Sequence, residues 1–196
     1  MTKPKTIAYY ERLAKKLIKE YADYERVEFE DRDCLERVIL PYILGHHNPQ
    51  RTLDIGREDY QTFYNLYFEN RELWTLDFDP KRKKFGAKGH HITDDVANVK
   101  NHFEDGYFNF ILMNGVFGWG LNDPIKIEQT FNSIYELLAP GGIFILGWND
   151  IKDLTPVPLD QIEALKKFKP MEFPPLSTCQ FKAQNGEHTY NFYIKE

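Results

Sequence analysis

Cysteine is scarce in this chain of 196 residues. Cys34 and Cys179 are its two cysteines, and neither belongs to a paired motif. Zinc sites and disulfide frameworks both require several cysteines at short, regular intervals. The sequence therefore predicts no metal site of this kind and no disulfide, and two reduced thiols are typical of a cytoplasmic protein.

Long apolar runs are also missing. No stretch approaches the roughly 20 apolar residues that a membrane-spanning helix needs. Residues 1–16 alternate charged with apolar side chains, unlike the apolar centre of a signal peptide. We therefore expect a cytoplasmic protein with no membrane partner.

Positive charge is in deficit. The 25 lysines and arginines are outnumbered by 30 acidic residues, which gives a net charge of -5. Binding along a phosphate backbone requires the opposite balance. We therefore expect no nucleic-acid partner.

Hydrophobic residues make up 42% of the chain, enough for the core of one domain. The 15% of aromatic residues suits either that core or a pocket for a flat ligand.

The first 48 residues predict two helices, because apolar residues recur at three- and four-residue steps. Pro41 is expected to kink the second helix or end it early, and residues 45–49 are expected to stop it. The positions that define the two stripes are Ile7, Tyr10, Ala14, Leu17, Ile18 and Tyr21, then Leu35, Val38, Ile39 and Tyr42.

From Arg51 onward, short apolar runs alternate with helical stretches, which predicts strands and helices around a parallel sheet. The predicted strands are residues 52–55, 73–76, 90–92, 107–113 and 143–148. Asp123 and Pro124 form a predicted helix start, and residues 140–142 predict a turn into the last of these strands. The core positions of that helix are Ile127, Phe131, Ile134, Tyr135 and Leu138.

The last part of the chain predicts a short helix near residues 159–168 and a hairpin of residues 178–183 and 189–195. Asn185 and Gly186 tolerate the positive φ that a tight hairpin turn needs. We expect an α/β, Rossmann-like fold with a mostly parallel twisted sheet, helices on both faces and an antiparallel C-terminal hairpin. The expected organisation is a single domain over 1–196, made of N-terminal helices (1–48), a sheet core (51–150) and a C-terminal helix and hairpin (151–196).

Polar residues follow the predicted strands at the edge where an open parallel sheet binds ligands. Asp54, Asp77, Asp94 and Asn114 each lie at such a strand end. A carboxylate after the second strand can accept both hydrogen bonds of a ribose diol, which makes Asp77 a candidate nucleoside ligand. Helix capping is an open alternative for Asp54 and Asp94, as is turn formation for Asp77.

Over residues 51–149 these segments resemble the class I S-adenosylmethionine-dependent methyltransferases. Asp54 and Gly56 match the start of that family's glycine-rich loop, and Asp77 matches its second-strand acid. Asp94, with Val96 beside it, matches the residue facing the adenine; residues 114–117 match the fourth strand end, and residues 137–142 the Leu-Leu-x-Pro-Gly-Gly turn. The closing antiparallel strands also resemble that family.

The resemblance implies S-adenosylmethionine as the cofactor, methyl transfer to a small-molecule acceptor, and residues 51–150 as the cofactor-binding core. It points to no catalytic residue and no metal. The residues that it implies for cofactor binding are Asp54, Gly56, Arg57, Asp77, Phe78, Asp94, Asp95 and Asn114.

The glycine-rich loop departs from the family pattern. Arg57, Glu58 and Tyr60 occupy the positions of its variable residue and of its second and third glycines. Side chains there crowd the usual cofactor path, since glycine allows close backbone approach. A catalytically inactive binding or scaffolding module is therefore the alternative, favoured if Glu58 and Tyr60 fill the cleft. A nicotinamide-dependent reductase is disfavoured because no Gly-x-Gly-x-x-Gly follows the first strand.

Three further signals have simpler explanations. Residues 81–84 form a basic run typical of a solvated helix face, and the pairs at 46–47 and 90–91 are histidines without a third ligand nearby. Residues 117–120 place Trp119 between two glycines. Such a segment is either a mobile loop over the methyl-acceptor region or a surface loop whose tryptophan packs on the sheet.

Overall fold

One mixed sheet organises the part of the chain that the computed structural model describes, residues 5–22, 30–184 and 187–196. Its strand order is 3-2-1-4-5-8-6, and the seventh strand also pairs with the eighth. The strands are β1 (Arg51–Ile55), β2 (Glu72–Asp77), β3 (His91–Thr93), β4 (Phe108–Asn114), β5 (Leu138–Asn149), β6 (Lys169–Pro170), β7 (Gln180–Lys182) and β8 (His188–Ile194).

Strands β1 to β5 pair in parallel, whereas β8 is antiparallel to β5, β6 and β7. The chain first adds β2 and β3 on one side of β1 and then crosses to add β4 and β5 on the other. Ligands bind outside the carboxyl ends of the strands at such a reversal. The predicted fold class and the five predicted strands of the parallel part are confirmed.

The first helix follows its predicted pattern. Helix α1 (Ile7–Tyr21) begins after Thr6, whose hydroxyl oxygen accepts a hydrogen bond from the backbone N–H of Tyr9. Tyr10, Ala14, Leu17 and Ile18 are buried. Tyr21, at the end of the stripe, is half exposed.

The second helical segment continues through Pro41. Helices α2 (Glu30–Cys34) and α3 (Leu40–Tyr42) alternate with π-helical turns at Leu35–Ile39 and Ile43–His47. The early boundary expected at Pro41 is wrong, because wider turns on both sides of the proline keep the segment helical despite its missing N–H. The segment ends at Asn48, in the left-handed region with φ 52°.

The helices that connect the strands are mostly short. Helix α4 (Pro124–Leu137) matches its prediction: the side chain of Asp123 accepts hydrogen bonds from the backbone N–H groups of Ile125 and Lys126. The other connections are 3₁₀ helices, which are Asp59–Phe68, Pro80–Phe85, Val96–His102, Leu159–Gln161 and Glu163–Lys167.

Two predicted turns have different outcomes. The turn expected at residues 140–142 lies inside β5, where Gly141 has φ 74° and donates its N–H to the carbonyl of Lys195. The pairing of β4 with β5 shifts register here: Phe108 pairs with Leu138 and Phe110 with Ile143, so residues 139–142 stand against a single residue of β4 and turn the chain inside the strand. The predicted hairpin pairs β7 with β8 antiparallel; its turn residues Asn185 and Gly186 lie outside the described residues.

Apolar side chains cover both faces of the sheet. On one face α4 packs Ile127, Phe131 and Ile134 against β4 and β5. On the other face α1 and the second helical segment enclose residues such as Ile39 and Tyr64. Most of the fully buried large side chains are aromatic, so filling the core is one use of the high aromatic content.

None of the helices within residues 5–22, 30–184 and 187–196 is long and apolar enough to cross a bilayer.

The N-cap of α4 gives a stability prediction. Replacing Asp123 by alanine removes the acceptor of two backbone N–H groups and should lower the free energy of unfolding by about 1 kcal/mol. Asp123→Ser keeps a capping oxygen and should recover most of the loss. Urea unfolding of both variants and the wild type measures the effect; equal losses in the two variants would contradict the capping role.

Candidate functional site

A cleft of about 520 Å³ lies at the carboxyl ends of β1, β2 and β4, where the strand order reverses. Its volume is within the ~300–1,000 Å³ typical of small-molecule sites. All the predicted cofactor-binding residues line it except Asp54 and Asp94. Those that line it are Gly56, Arg57, Asp77, Phe78, Asp95 and Asn114.

Gly56 allows the chain to turn sharply into the cleft after β1. Its φ is 90°, and a Cβ at this position would lie 2.6 Å from the carbonyl oxygen of Asn114. Both observations exclude a side chain, because the conformation and the space favour glycine. The turn brings the loop after β1 against the end of β4.

Asp77 ties the loop after β1 to the end of β2. Its carboxylate accepts the backbone N–H of Arg57 at 2.8 Å and that of Asp79 at 2.9 Å, one on each oxygen. A carboxylate oxygen can accept more than one hydrogen bond. Asp77 therefore supports the loop while keeping capacity for a ligand in the cleft.

Asp54 and Arg57 form a buried ion pair beneath the cleft. Both residues are 1% exposed, and a guanidinium nitrogen of Arg57 contacts the Asp54 carboxylate. The guanidinium also donates to the carbonyl oxygens of Gln61 and Phe85, at 3.0 and 2.8 Å. Burial raises the pKa of Asp54, while the guanidinium opposes that shift. The pair holds the loop in place from below.

Glu58 and Tyr60 line the cleft without filling it. The carboxylate of Glu58 pairs with Arg82 and also belongs to a capping box with Gln61. The Tyr60 ring is covered by the guanidinium of Arg32 at 3.8 Å, and burial raises the pKa of Tyr60 to about 12. The negative charge of Glu58 is thus countered by an arginine that the sequence reasoning did not connect with it.

The two acids after β3 have separate positions. Asp95 caps the helix Val96–His102 through the N–H of Ala97, lines the cleft and pairs with Lys126 at 2.6 Å. Asp94 instead accepts hydrogen bonds from Asn98 and contacts His102 at 2.8 Å, which lowers its pKa. The predicted helix start at Asp94 is therefore one residue early, since Asp95 supplies the cap. Adenine binding by Asp94 stays a prediction.

Asn114, which lines the cleft, belongs to a series of hydrogen-bonded polar side chains. Its Oδ1 lies 2.9 Å from Nε2 of His188, and Nδ1 of His188 lies 3.3 Å from Oδ1 of Asn149. The indole N–H of Trp119 donates to the same Asn149 oxygen at 3.1 Å. His188 and Asn149 were missed from the sequence, although the pairing of β8 with β5 places them opposite each other.

Two exposed aromatic rings stand at the mouth of the cleft. Phe78 is 70% exposed and Trp119 is 60% exposed, and both line the cleft. Gly120 lies beneath Phe78, since a Cβ there would be 3.6 Å from the ring. Exposed rings flanking a cleft suit stacking with a flat ligand. Phe78 and Trp119 are therefore candidates for the pocket for a flat ligand that the aromatic content allows.

Comparison with known proteins gives the fold its name. No known family's sequence model matches the chain, and no curated protein matches it in sequence. Solved structures do match. With the N-methyltransferase NodS from Bradyrhizobium japonicum, in complex with S-adenosyl-L-homocysteine, the TM-score is 0.62 at 15% identity, over 93% of this chain and 97% of that chain.

Two further structures agree. The TehB-like SAM-dependent methyltransferase from Corynebacterium glutamicum matches with TM-score 0.59 at 16% identity, over 96% of this chain and 99% of that one. The Burkholderia thailandensis 1,6-didemethyltoxoflavin-N1-methyltransferase, with bound 1,6-didemethyltoxoflavin and S-adenosylhomocysteine, matches with TM-score 0.56 at 14% identity, over 100% of this chain and 91% of that one. The chain has the class I methyltransferase fold.

The remaining sequence signals lie outside the cleft of this methyltransferase fold or contribute to it only in part. Residues 81–84 belong to the helix Pro80–Phe85, where Arg82 alone of the four reaches the cleft lining. His90 stacks on Trp74 with ring centroids 4.5 Å apart, and His91 contacts the hydroxyl of Thr75. Within the described residues, no cluster of three or more histidine, cysteine or acidic side chains is suited to a metal ion.

The buried ion pair gives a second prediction. Arg57→Met should cost about 3–5 kcal/mol of folding free energy, because it leaves the Asp54 carboxylate buried without its partner. Adding Asp54→Leu should restore a substantial part of that loss, since the unpaired charge is removed as well. Arg82→Met breaks an exposed pair with Glu58 and should cost at most about 1 kcal/mol.

Urea unfolding of these three variants provides the measurement. If the double variant is no more stable than Arg57→Met, the cost of the single change comes from the other guanidinium contacts of Arg57 and not from the stranded carboxylate.

Proposed function

We propose that this protein is an S-adenosylmethionine-dependent methyltransferase that acts on a small-molecule acceptor, within a single domain of a cytoplasmic protein. The observation that carries the proposal is the open cleft at the strand reversal, lined by the acid that ends β2, the glycine after β1 and the asparagine that ends β4. A cleft in that position of an α/β sheet is where a nucleoside ligand binds.

The residues of the cleft fit this cofactor. Asp77 offers carboxylate oxygens to the ribose hydroxyls, and the exposed ring of Phe78 offers a stacking surface to the adenine, next to Asp95 and Val96. The positive φ of Gly56 lets the backbone approach the ligand closely. The ion pair with Arg82 offsets the charge of Glu58, which would otherwise repel the cofactor carboxylate.

When bound, the cofactor supplies a sulfonium methyl group, which an acceptor lone pair attacks in line while the electron pair of the broken S–C bond stays on sulfur. The protein then has to hold donor and acceptor in line, and positioning of this kind accounts for much of the rate in such reactions. Trp119 and Asn114 also line the cleft and are placed to contact the acceptor.

The similar structures support this choice of acceptor class. One of them is named for methylation of 1,6-didemethyltoxoflavin, a small molecule that is bound in that structure with S-adenosylhomocysteine. The overall negative charge of the present chain is unfavourable for a nucleic-acid substrate.

A catalytically inactive binding or scaffolding module is the second candidate. It is favoured by Arg57, Glu58 and Tyr60, which replace the residues of a glycine-rich loop. The two candidates differ in one measurable property, because the scaffold has no requirement to bind the cofactor product.

Calorimetric titration with S-adenosylhomocysteine tests the proposal. The wild type should bind, and Phe78→Ala should weaken binding roughly tenfold, since loss of a stacked ring costs about 1–3 kcal/mol. Ile125→Ala is the matched control: Ile125 is 78% exposed but lies outside the cleft lining, so affinity should not change. Absence of binding at millimolar ligand would remove the enzyme proposal in favour of the scaffold.

A further inference from the structure

His188 lies between two side-chain amides, those of Asn149 and of Asn114, which lines the cleft. Its Nε2 is 2.9 Å from Oδ1 of Asn114, and its Nδ1 is 3.3 Å from Oδ1 of Asn149. A neutral imidazole has one N–H and one lone pair, so it cannot donate to two oxygens. Either the ring is charged or one of the amides presents its nitrogen to the ring.

Trp119 determines which amide is turned. An indole N–H can only donate, and that of Trp119 lies 3.1 Å from the Asn149 side-chain oxygen. The oxygen of Asn149 therefore faces both Trp119 and His188. It follows that Nδ1 of His188 carries the proton and that Nε2 offers a lone pair to Asn114.

The surroundings of His188 favour the neutral ring. Burial, the largest effect, lowers the pKa of His188; the charge of Asp31 opposes this shift, and the charge of Arg32 adds to it to a smaller extent. Three uncharged groups contact the imidazole within the described residues: the Tyr190 ring, with ring centroids 4.9 Å apart, and the two amides. At neutral pH the ring therefore has a single N–H, on Nδ1.

Asn114 then has only one compatible orientation. Its amide nitrogen must donate to Nε2 of His188, which turns the carbonyl oxygen away from the histidine. Asn114 lines the cleft. The amide atom that does not face His188 is not a buried atom without a hydrogen-bond partner. The hydrogen-bonded series of Trp119, Asn149, His188 and Asn114 thus fixes a hydrogen-bond acceptor at the wall of the cleft.

We propose that His188 is a positioning residue that holds the Asn114 carbonyl oxygen toward the cleft, so that the methyl acceptor is a compound presenting an N–H or O–H donor there. This inference rests on the proposed function, because that function makes the ligand a methyl acceptor. An N–H or O–H group of the acceptor can donate to the Asn114 oxygen, whereas a thioether or carboxylate has no hydrogen to donate.

Nuclear magnetic resonance tests the orientation directly. In ¹⁵N-labelled protein near pH 7.5, the long-range ¹H–¹⁵N spectrum of His188 should show Nδ1 as the protonated nitrogen, with a ¹⁵N–¹⁵N coupling between Nε2 and the Asn114 amide nitrogen. Acidification should protonate Nε2 and abolish this coupling. A ring protonated on Nε2 at pH 7.5 would overturn the proposal.

Trp119→Phe provides the matched variant, because it removes the indole donor that fixes Asn149. The His188 tautomer should become mixed. Trp74→Phe removes another indole hydrogen bond, from Trp74 to Glu72 at 2.7 Å, and should leave the His188 spectrum unchanged. An unchanged tautomer in Trp119→Phe contradicts the assigned role of the indole.

Pyrrole and furan test the ligand class, since the two rings have similar shape and only pyrrole carries an N–H. Added to protein saturated with S-adenosylhomocysteine, pyrrole should shift the Asn114 side-chain resonances and furan should not. A response to furan alone, to both equally, or to neither overturns the assigned ligand class. Failure of the proposed function is separate: it appears as absence of S-adenosylhomocysteine binding, while the tautomer of the free protein is measured independently.

Discussion

The buried ion pair between Arg57 and Asp54 is the constraint on which the cleft depends. The guanidinium joins the end of β1 to the backbone carbonyls of Gln61 and Phe85, and the backbone N–H of Arg57 meets the carboxylate of Asp77. A charge removed so completely from water is tolerated only when it is paired and hydrogen-bonded. The loop consequently has a fixed path without the glycines that usually shape it, and the cleft stays open beside it.

Much of the fold could be predicted from the sequence because local signals agreed with the final packing. The apolar periodicity of α1, the cap at Asp123 and the short runs of the parallel strands each specify their element. At Pro41 a kink or an early end was predicted, and only the early end is wrong; at residues 140–142 the predicted turn lies inside β5. Proline and glycine mark backbone irregularity, but whether it becomes a boundary, a π turn or a turn inside a strand depends on what packs around it.

The candidate site was predictable at the ends of the parallel strands and hidden elsewhere. Gly56 follows β1 and Asp77 ends β2, so the topology of a parallel sheet brings them together. The pairing of Glu58 with Arg82, and of Asn114 with His188, joins residues far apart in sequence whose spacing carries no periodic signal. Only the register of β8 against β5 could have placed His188 near the cleft.

The side chains that line the cleft and those that support them come from different parts of the chain. Asp77 ends β2 and Phe78 follows it, whereas His188, which contacts the cleft-lining Asn114, lies on the antiparallel strand β8. Substitutions in β8 can therefore alter the hydrogen bonding of Asn114 without changing the ends of β1 and β2. In such an architecture, the polarity of the cleft wall at Asn114 can drift during evolution while the other strand ends are conserved.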